Sequence, residues 1–171
     1  LTVIIGGAKI ETKVGVLKHF ATTAQNVLIG GALANTFLYA QGYDVGNSLF
    51  EADKMDLTQE IMASMDNHQT GFHIPLDVTC AESYKDTQSL TLPLEDVMGN
   101  LQILDLGRHT IESYAEIIMS SKTIIWNGPM GVFENPAFAS GTKLLLQALQ
   151  KSPATTIIGG GESLAALKHF G

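Results

Sequence analysis

Short apolar runs alternate with longer amphipathic stretches along this chain, and five of the runs end in glycine. Val3-Ile4-Ile5 precedes Gly6-Gly7, and Val27-Leu28-Ile29 precedes Gly30-Gly31. Ile103-Leu104-Asp105-Leu106 precedes Gly107, Thr123–Asn127 precedes Gly128, and Thr156-Ile157-Ile158 precedes Gly159-Gly160-Gly161. Runs rich in Val and Ile, each followed by a helical pattern, read as parallel strands covered on both faces. The pattern predicts strands over Thr2–Ile5, Asn26–Ile29, Leu101–Leu106, Thr123–Trp126 and Thr155–Ile158. Helices are predicted over Lys9–Phe20, Leu33–Gln41, Ala52–Asn67, Thr110–Ser120 and Ser163–Phe170. One more runs to about Gln150 from a start at Asn135-Pro136, where asparagine caps and proline takes the first position. Phe72–Ala81 reads as a strand broken by Pro75. Glu82–Val97 has only weak period-two character and predicts a hairpin or irregular excursion.

These elements define an α/β fold: three layers, doubly wound and Rossmann-like. The sheet is mostly parallel, with about six strands and a small β excursion. Every glycine turn would fall on the carboxyl edge, where open α/β sheets bind ligands. Glycine there lets backbone N–H groups approach a ligand closely. The 171 residues suffice for one domain with a sizeable core. Leu1 lies directly within the first strand, so the expectation is a single domain over 1–171, cut from a longer protein at both ends.

Composition narrows the possibilities. Apolar residues make up 45% and charged residues 16% of the chain, which excludes a disordered tail. No apolar run approaches the roughly 20 residues that span a bilayer. Cys80 is the one cysteine, so no internal disulfide can form, and a reducing compartment is expected. The net charge of −7 argues against nucleic acid. A nucleotide remains compatible, because a phosphate site needs only a few placed cations and amides.

Three segments could carry chemistry. In Gly6-Gly7-Ala8-Lys9-Ile10-Glu11-Thr12-Lys13 the two lysines would share one face of a helix. A phosphate chain over that helix start would turn their repulsion into attraction, whereas the plain alternative is a solvated face. In Trp126-Asn127-Gly128-Pro129-Met130-Gly131-Val132-Phe133-Glu134 two glycines and a proline impose a tight loop. Glu134 there could accept from a ribose diol or merely complement a helix dipole. Gly159-Gly160-Gly161-Glu162-Ser163 makes an anion nest, beside which Glu162 could hold magnesium. The sequence lacks a Walker loop, a Gly-x-Gly-x-x-Gly fingerprint and a Gly-x-Ser-x-Gly elbow. Asp77 and Asp105 lie in apolar strands, where bonding to neighbouring backbone is expected rather than catalysis.

Taken in order, these segments resemble the carboxyl-terminal nucleotide-binding domain of the phosphoglycerate kinase family. The match includes Gly-Gly-Ala-Lys-x-x-x-Lys at Gly6–Lys13 and Ile29-Gly30-Gly31 through Thr36-Phe37. Gly46-Asn47-Ser48-Leu49, Ile74-Pro75-Leu76-Asp77-Val78, the nine residues Trp126–Glu134 and Thr156–Gly161 complete it. The resemblance implies phosphoryl transfer between 1,3-bisphosphoglycerate and ADP, with magnesium, in glycolysis. By this likeness Lys9 would be catalytic, steadying the transferring group, and Lys13 would bind nucleotide phosphates. Gly7, Gly30, Gly31, Leu49 and Leu104 would frame the adenine. Asn127, Gly128, Pro129, Gly131 and Val132 would line the cleft, and Glu134 would hold the ribose. Gly160, Gly161, Glu162 and Ser163 would meet phosphates, with Glu162 the metal ligand.

The likeness also implies a cytoplasmic, monomeric full-length enzyme whose absent amino-terminal domain binds 3-phosphoglycerate or 1,3-bisphosphoglycerate. The chain alone would then bind ADP or ATP weakly and without turnover. Glutamate stands at 162 where the family usually has aspartate, Ala32 where it has glycine, and Arg108 where proline is common. Glu162 and Ala32 motivate the alternative of a non-catalytic nucleotide-binding or interaction module on the same scaffold.

Overall fold

The computed structural model describes residues 1–171 and contains two sheets. The larger has five strands in the order β3-β2-β1-β7-β8. These are β1 (Thr2–Ile5), β2 (Asn26–Ile29), β3 (Gly71–His73), β7 (Thr123–Asn127) and β8 (Thr155–Gly159). All four pairings are parallel, with Ile5 level with Ile29 on one side and with Asn127 on the other. A smaller antiparallel sheet has the order β5-β4-β6, from β4 (Asp77–Ala81), β5 (Leu90–Pro93) and β6 (Gln102–Leu106). The excursion expected over Glu82–Val97 contains β5, which folds back antiparallel on β4 just before it. Pro75 divides what the sequence presents as one strand, and the two halves join different sheets. The run Ile103–Leu106, grouped above with the parallel strands, belongs to the small sheet.

The middle strand shows why the sheet is buried on both faces. Val3 and Ile5 point into one apolar cluster with Leu17 and Ala21 of α1 (Val14–Thr23). Leu33 and Phe37 of α2 (Gly31–Ala40) and Ile61 and Met65 of α3 (Met55–Asn67) complete that side. Ile4 points the other way, to Tyr114 and Ile118 of α4 (Arg108–Ser120) and Leu145, Leu146 and Leu149 of α5 (Ser140–Lys151). Ala166 of α6 (Gly161–Phe170) closes this second layer. The two-residue alternation of a strand thus feeds two helix layers from one apolar run. A third cluster, including Val78, Cys80 and Leu94, fills the small sheet, and burial pushes the Cys80 thiol up to about 11.

Two polar side chains join the sheets and layers. The Tyr114 hydroxyl, fully enclosed, lies 2.7 Å from the Ile29 carbonyl and 2.8 Å from that of His73. Burial raises its pKa, so it stays a donor. Asp77 is 6% exposed and caps α4 from a distance in sequence. Its Oδ1 accepts from the Thr110 N–H at 2.8 Å and its Oδ2 from His109 N–H at 3.1 Å. These are the orphan donors of a helix start. A Cβ at Gly107 would overlap this carboxylate, which accounts for the glycine there.

The Asp77 cap predicts a mutational effect. Asp77→Ala strands two N–H groups at the α4 start, one of them buried, and should cost about 2–3 kcal/mol. Urea unfolding followed by circular dichroism measures it. A loss below about 0.5 kcal/mol would mean that the cap contributes no net stability.

Candidate functional site

Four neighbouring parallel strands, β2, β1, β7 and β8, end in glycine on one rim. Their turns interlock through the backbone. The Gly6 N–H donates to Asn127 O at 2.9 Å and the Gly7 N–H to Pro129 O at 3.0 Å. The Gly31 N–H donates to Met130 O at 2.9 Å, and the Leu33 N–H reaches back to Gly7 O at 2.9 Å. Gly31 has φ +66° and Gly128 φ +95°, the left-handed region that glycine enters without strain. A Cβ on Gly128 would also overlap the Gly6 carbonyl. The fifth glycine-ended run, closed by Gly107, lies in the small sheet and serves the Asp77 cap instead.

The lysine segment departs from the expected helix. Residues Gly6–Lys13 form bends and turns, and α1 begins at Val14. Fully buried Ile10 pins the segment, its N–H donating to the Glu51 carboxylate rather than continuing a helical ladder. Lys9 is exposed, and its ammonium has no protein partner. Lys13 is half-buried, and its ammonium donates to Asn127 Oδ1. Asn127 in turn faces the α6 turn, since a Cβ at Gly160 would lie 3.2 Å from its Oδ1. A Cβ at Gly7 would lie 3.5 Å from Glu162 Oε2 and 3.8 Å from Lys13 Cε. Lys13, Asn127, Gly7, Gly160 and Glu162 therefore converge. Lys9 extends from the turn beside them.

A cavity of about 340 Å³ opens next to this group. Gly7, Gly31, Leu49, Leu104, Pro129, Gly131, Val132, Glu134 and Glu162 are among its walls, as is Ala32. Leu49 is 64% exposed on the cavity wall, a position suited to covering a flat ligand. Glu134 is exposed at the rim, without an ion pair. Gly30 and Gly128 lie behind the wall: Gly30 packs against Met130, and Gly128 against Gly6. Gly161 is exposed at the start of α6. Ser163 is fully buried, and its hydroxyl accepts from the Gly128 N–H at 2.6 Å, so it supports the loop from below.

Asn135 acts as expected, accepting from the Ala137 N–H at 3.0 Å ahead of Pro136 in a short 3₁₀ turn, and α5 follows from Ser140. Its amide nitrogen also donates to Tyr84 O at 2.9 Å and Asp86 O at 2.8 Å. These bonds pin the excursion over the cavity, where Tyr84 becomes a wall that the sequence alone did not expose. Nothing in the local pattern singles out Tyr84; only the partner at Asn135 does. Asp105, a further wall residue, is 2% exposed. Its Oδ2 accepts from the Gly141 N–H at 2.7 Å, and burial raises its pKa from 3.8 to about 7.

These features define a doubly wound α/β domain with one glycine-lined cleft at the carboxyl rim of its parallel sheet. The model of the phosphoglycerate kinase family matches residues 1–171, and the chain belongs to that family. A phosphoglycerate kinase from Roseiflexus sp. (strain RS-1) is 41% identical over 169 residues, covering 98% of this chain. The solved phosphoglycerate kinase from Coxiella burnetii superposes with a TM-score of 0.96 at 38% identity, over 99% of this chain and 44% of that one. The phosphoglycerate kinase from Pyrococcus horikoshii OT3 gives 0.81 at 31% identity, over 99% of this chain and 44% of that one. This chain spans 43% of the length of the Roseiflexus relative. None of its helices is long and apolar enough to cross a membrane.

Two outcomes are expected. Gly128→Ala forces a side chain into left-handed backbone against the Gly6 carbonyl, and should destabilise the chain by about 2–4 kcal/mol in chemical unfolding. A change within about 0.5 kcal/mol would show that the loop relaxes freely. The second concerns pH. The folded Asp105 carboxyl holds its proton more tightly than the unfolded one. Its contribution to stability is therefore fully present below the unfolded value of 3.8 and is lost as pH rises through about 7. The melting temperature of Asp105→Asn should lose about 5 °C less than wild type between about pH 4 and about pH 8. Parallel profiles would refute the burial argument.

Proposed function

We propose that this chain is the nucleotide-binding lobe of a phosphoglycerate kinase, and that its cleft holds ADP or ATP for phosphoryl exchange with 1,3-bisphosphoglycerate. One observation carries the proposal: Lys13, Asn127 and Glu162 converge beside an apolar cavity whose walls include both Glu162 and Glu134. A nucleotide calls on those three chemistries together: cations for its phosphates, an acceptor for its diol and an apolar slot for its base. Leu49, Leu104, Val132, Pro129 and the glycine edges Gly7, Gly31 and Gly131 take the base. Gly30 and Gly128 let those edges pack so closely. Glu134 accepts from the ribose hydroxyls. Lys13 offers its ammonium to the phosphates, and Asn127 holds that ammonium in place. The N–H groups of exposed Gly160 and Gly161 at the start of α6 add donors where the helix dipole favours an anion.

Magnesium fits the donor set. It binds nucleotides through one or two carboxylates together with phosphate oxygens, and Glu162 supplies one exposed carboxylate beside the lysine. When bound, the ion neutralises charge on the phosphate oxygens. No cluster of three metal-binding side chains exists, which suits a metal brought in with its nucleotide. Lys9, free of protein partners, is the group that would steady the transferring phosphoryl. In such transfers positioning and charge neutralisation do most of the catalysis. The phosphoglycerate would be bound by a separate domain of the longer protein, which we take to be a cytoplasmic monomer.

Calorimetric titration of the chain with magnesium-ADP tests the proposal. Weak binding is expected, with a Kd of about 1 mM or below. Lys13→Ala should weaken it about tenfold or more, and no turnover should appear in a coupled assay. A chain shown folded by circular dichroism that binds no nucleotide would favour the non-catalytic interaction module. Turnover by the chain alone would contradict the separate phosphoglycerate domain.

A further inference from the structure

The buried carboxyl of Asp105 lies where two functional pieces meet. Its Oδ2 accepts from the Gly141 N–H at the start of α5. Its Oδ1 is enclosed and has no hydrogen-bond partner. A Cβ on Gly131, within the Gly128–Glu134 loop, would overlap Oδ1, and so would a Cβ on Gly141. The Asp105 carboxyl is thus wedged between two glycines, one in the loop and one in the helix. The same helix start also grips the loop directly, since the Met130 N–H donates to Thr142 Oγ1 at 3.0 Å.

We propose that Asp105 is a positioning residue for nucleotide binding, seating the Gly128–Glu134 loop against the start of α5 while its carboxyl is neutral. This rests on the nucleotide reading of the cleft. The physical reason is the unpartnered oxygen. A neutral carboxyl can lie against the two glycine Cα groups without solvation. An ionised one places charge on Oδ1 with no donor facing it, a costly state in a dry site. The relief is entry of water, which requires Gly131 to withdraw and the loop to loosen. No ion pair on the packed elements offsets this. The ionisable side chains there are Tyr39 on α2, Asp77 and Cys80 on β4, Arg108, His109, Glu112, Tyr114 and Glu116 on α4, Lys143 and Lys151 on α5, and Glu134 in the loop. None is paired with Asp105. The titratable ring of His169 packs edge-on against Phe133 of the loop, with centroids 5.6 Å apart.

Two measurements on the chain test this. Trp126 is the only tryptophan, is fully buried and donates to Gly128 O at 2.7 Å, so its emission reports the loop without any ligand. Between about pH 5.5 and about pH 8.5 wild-type emission should shift to the red, and that of Asp105→Asn should stay constant. His169→Gln should behave as wild type. Over the same range the Kd for magnesium-ADP should weaken by about threefold more in wild type than in Asp105→Asn, the titration of the ligand being common to both. Identical profiles for wild type and Asp105→Asn overturn the proposal, as does a shift abolished by His169→Gln. Should Asp105→Asn fail to fold, Gly141→Ala displaces the carboxyl instead. It should then weaken nucleotide binding, and unchanged affinity counts against the proposal. Absence of nucleotide binding in wild type would refute the cleft reading alone, since the emission titration still decides the role of Asp105.

Discussion

Close approach of backbone to backbone at the carboxyl rim is the constraint on which this structure turns. Parallel pairing brings the ends of β2, β1, β7 and β8 side by side, so four chain reversals must share one edge. Side chains there would collide with neighbouring carbonyls, as the Gly128 and Gly31 positions show. Glycine removes the collision and leaves amides free to bond across turns, as Gly6 does to Asn127 and Gly7 to Pro129. The cleft exists because those interlocked turns stop short of filling the space above them. Its polar end, Lys13 with Asn127 and Glu162, stands on the same turns. Site and scaffold are therefore one set of contacts.

Much of this was visible in the linear chain. Strand ends, helix faces and the glycine rim follow from local periodicity, which needs no partner to be read. Three features were not local. The helix expected from Lys9 starts at Val14, because buried Ile10 and the Glu51 carboxylate hold the preceding turn. Glu51 lies far along the chain, and no spacing rule connects it to Ile10. Likewise Leu101–Leu106 has the composition of a parallel strand yet pairs antiparallel with β4, a choice made by tertiary packing. Tyr84 enters the cavity wall only through the Asn135 bonds.

The small sheet gives the cleft its asymmetry. One wall is backbone and glycine from the large sheet, and the other is side chains: Leu104 from β6, Tyr84 from the excursion, and Leu49 from the loop after α2. The glycine side is fixed by main-chain hydrogen bonds. The opposite side is adjustable, since Leu49 and Tyr84 are mostly exposed. Such a division lets rigid amides set the position of charge while softer apolar groups fit the remainder of a guest.

The enclosed Tyr114 hydroxyl has a mechanical corollary. It stands against the last carbonyl of β2 and the last of β3, which directly precedes the crossing into the small sheet. Sliding the large sheet past α4 would break both bonds in a space that excludes water, and Asp77 at the start of β4 ties the small sheet to the same helix, so the glycine shelf, the facing wall and the helix beneath must travel as a single rigid body. Any opening or closing of the cleft is thereby confined to the loops above that body.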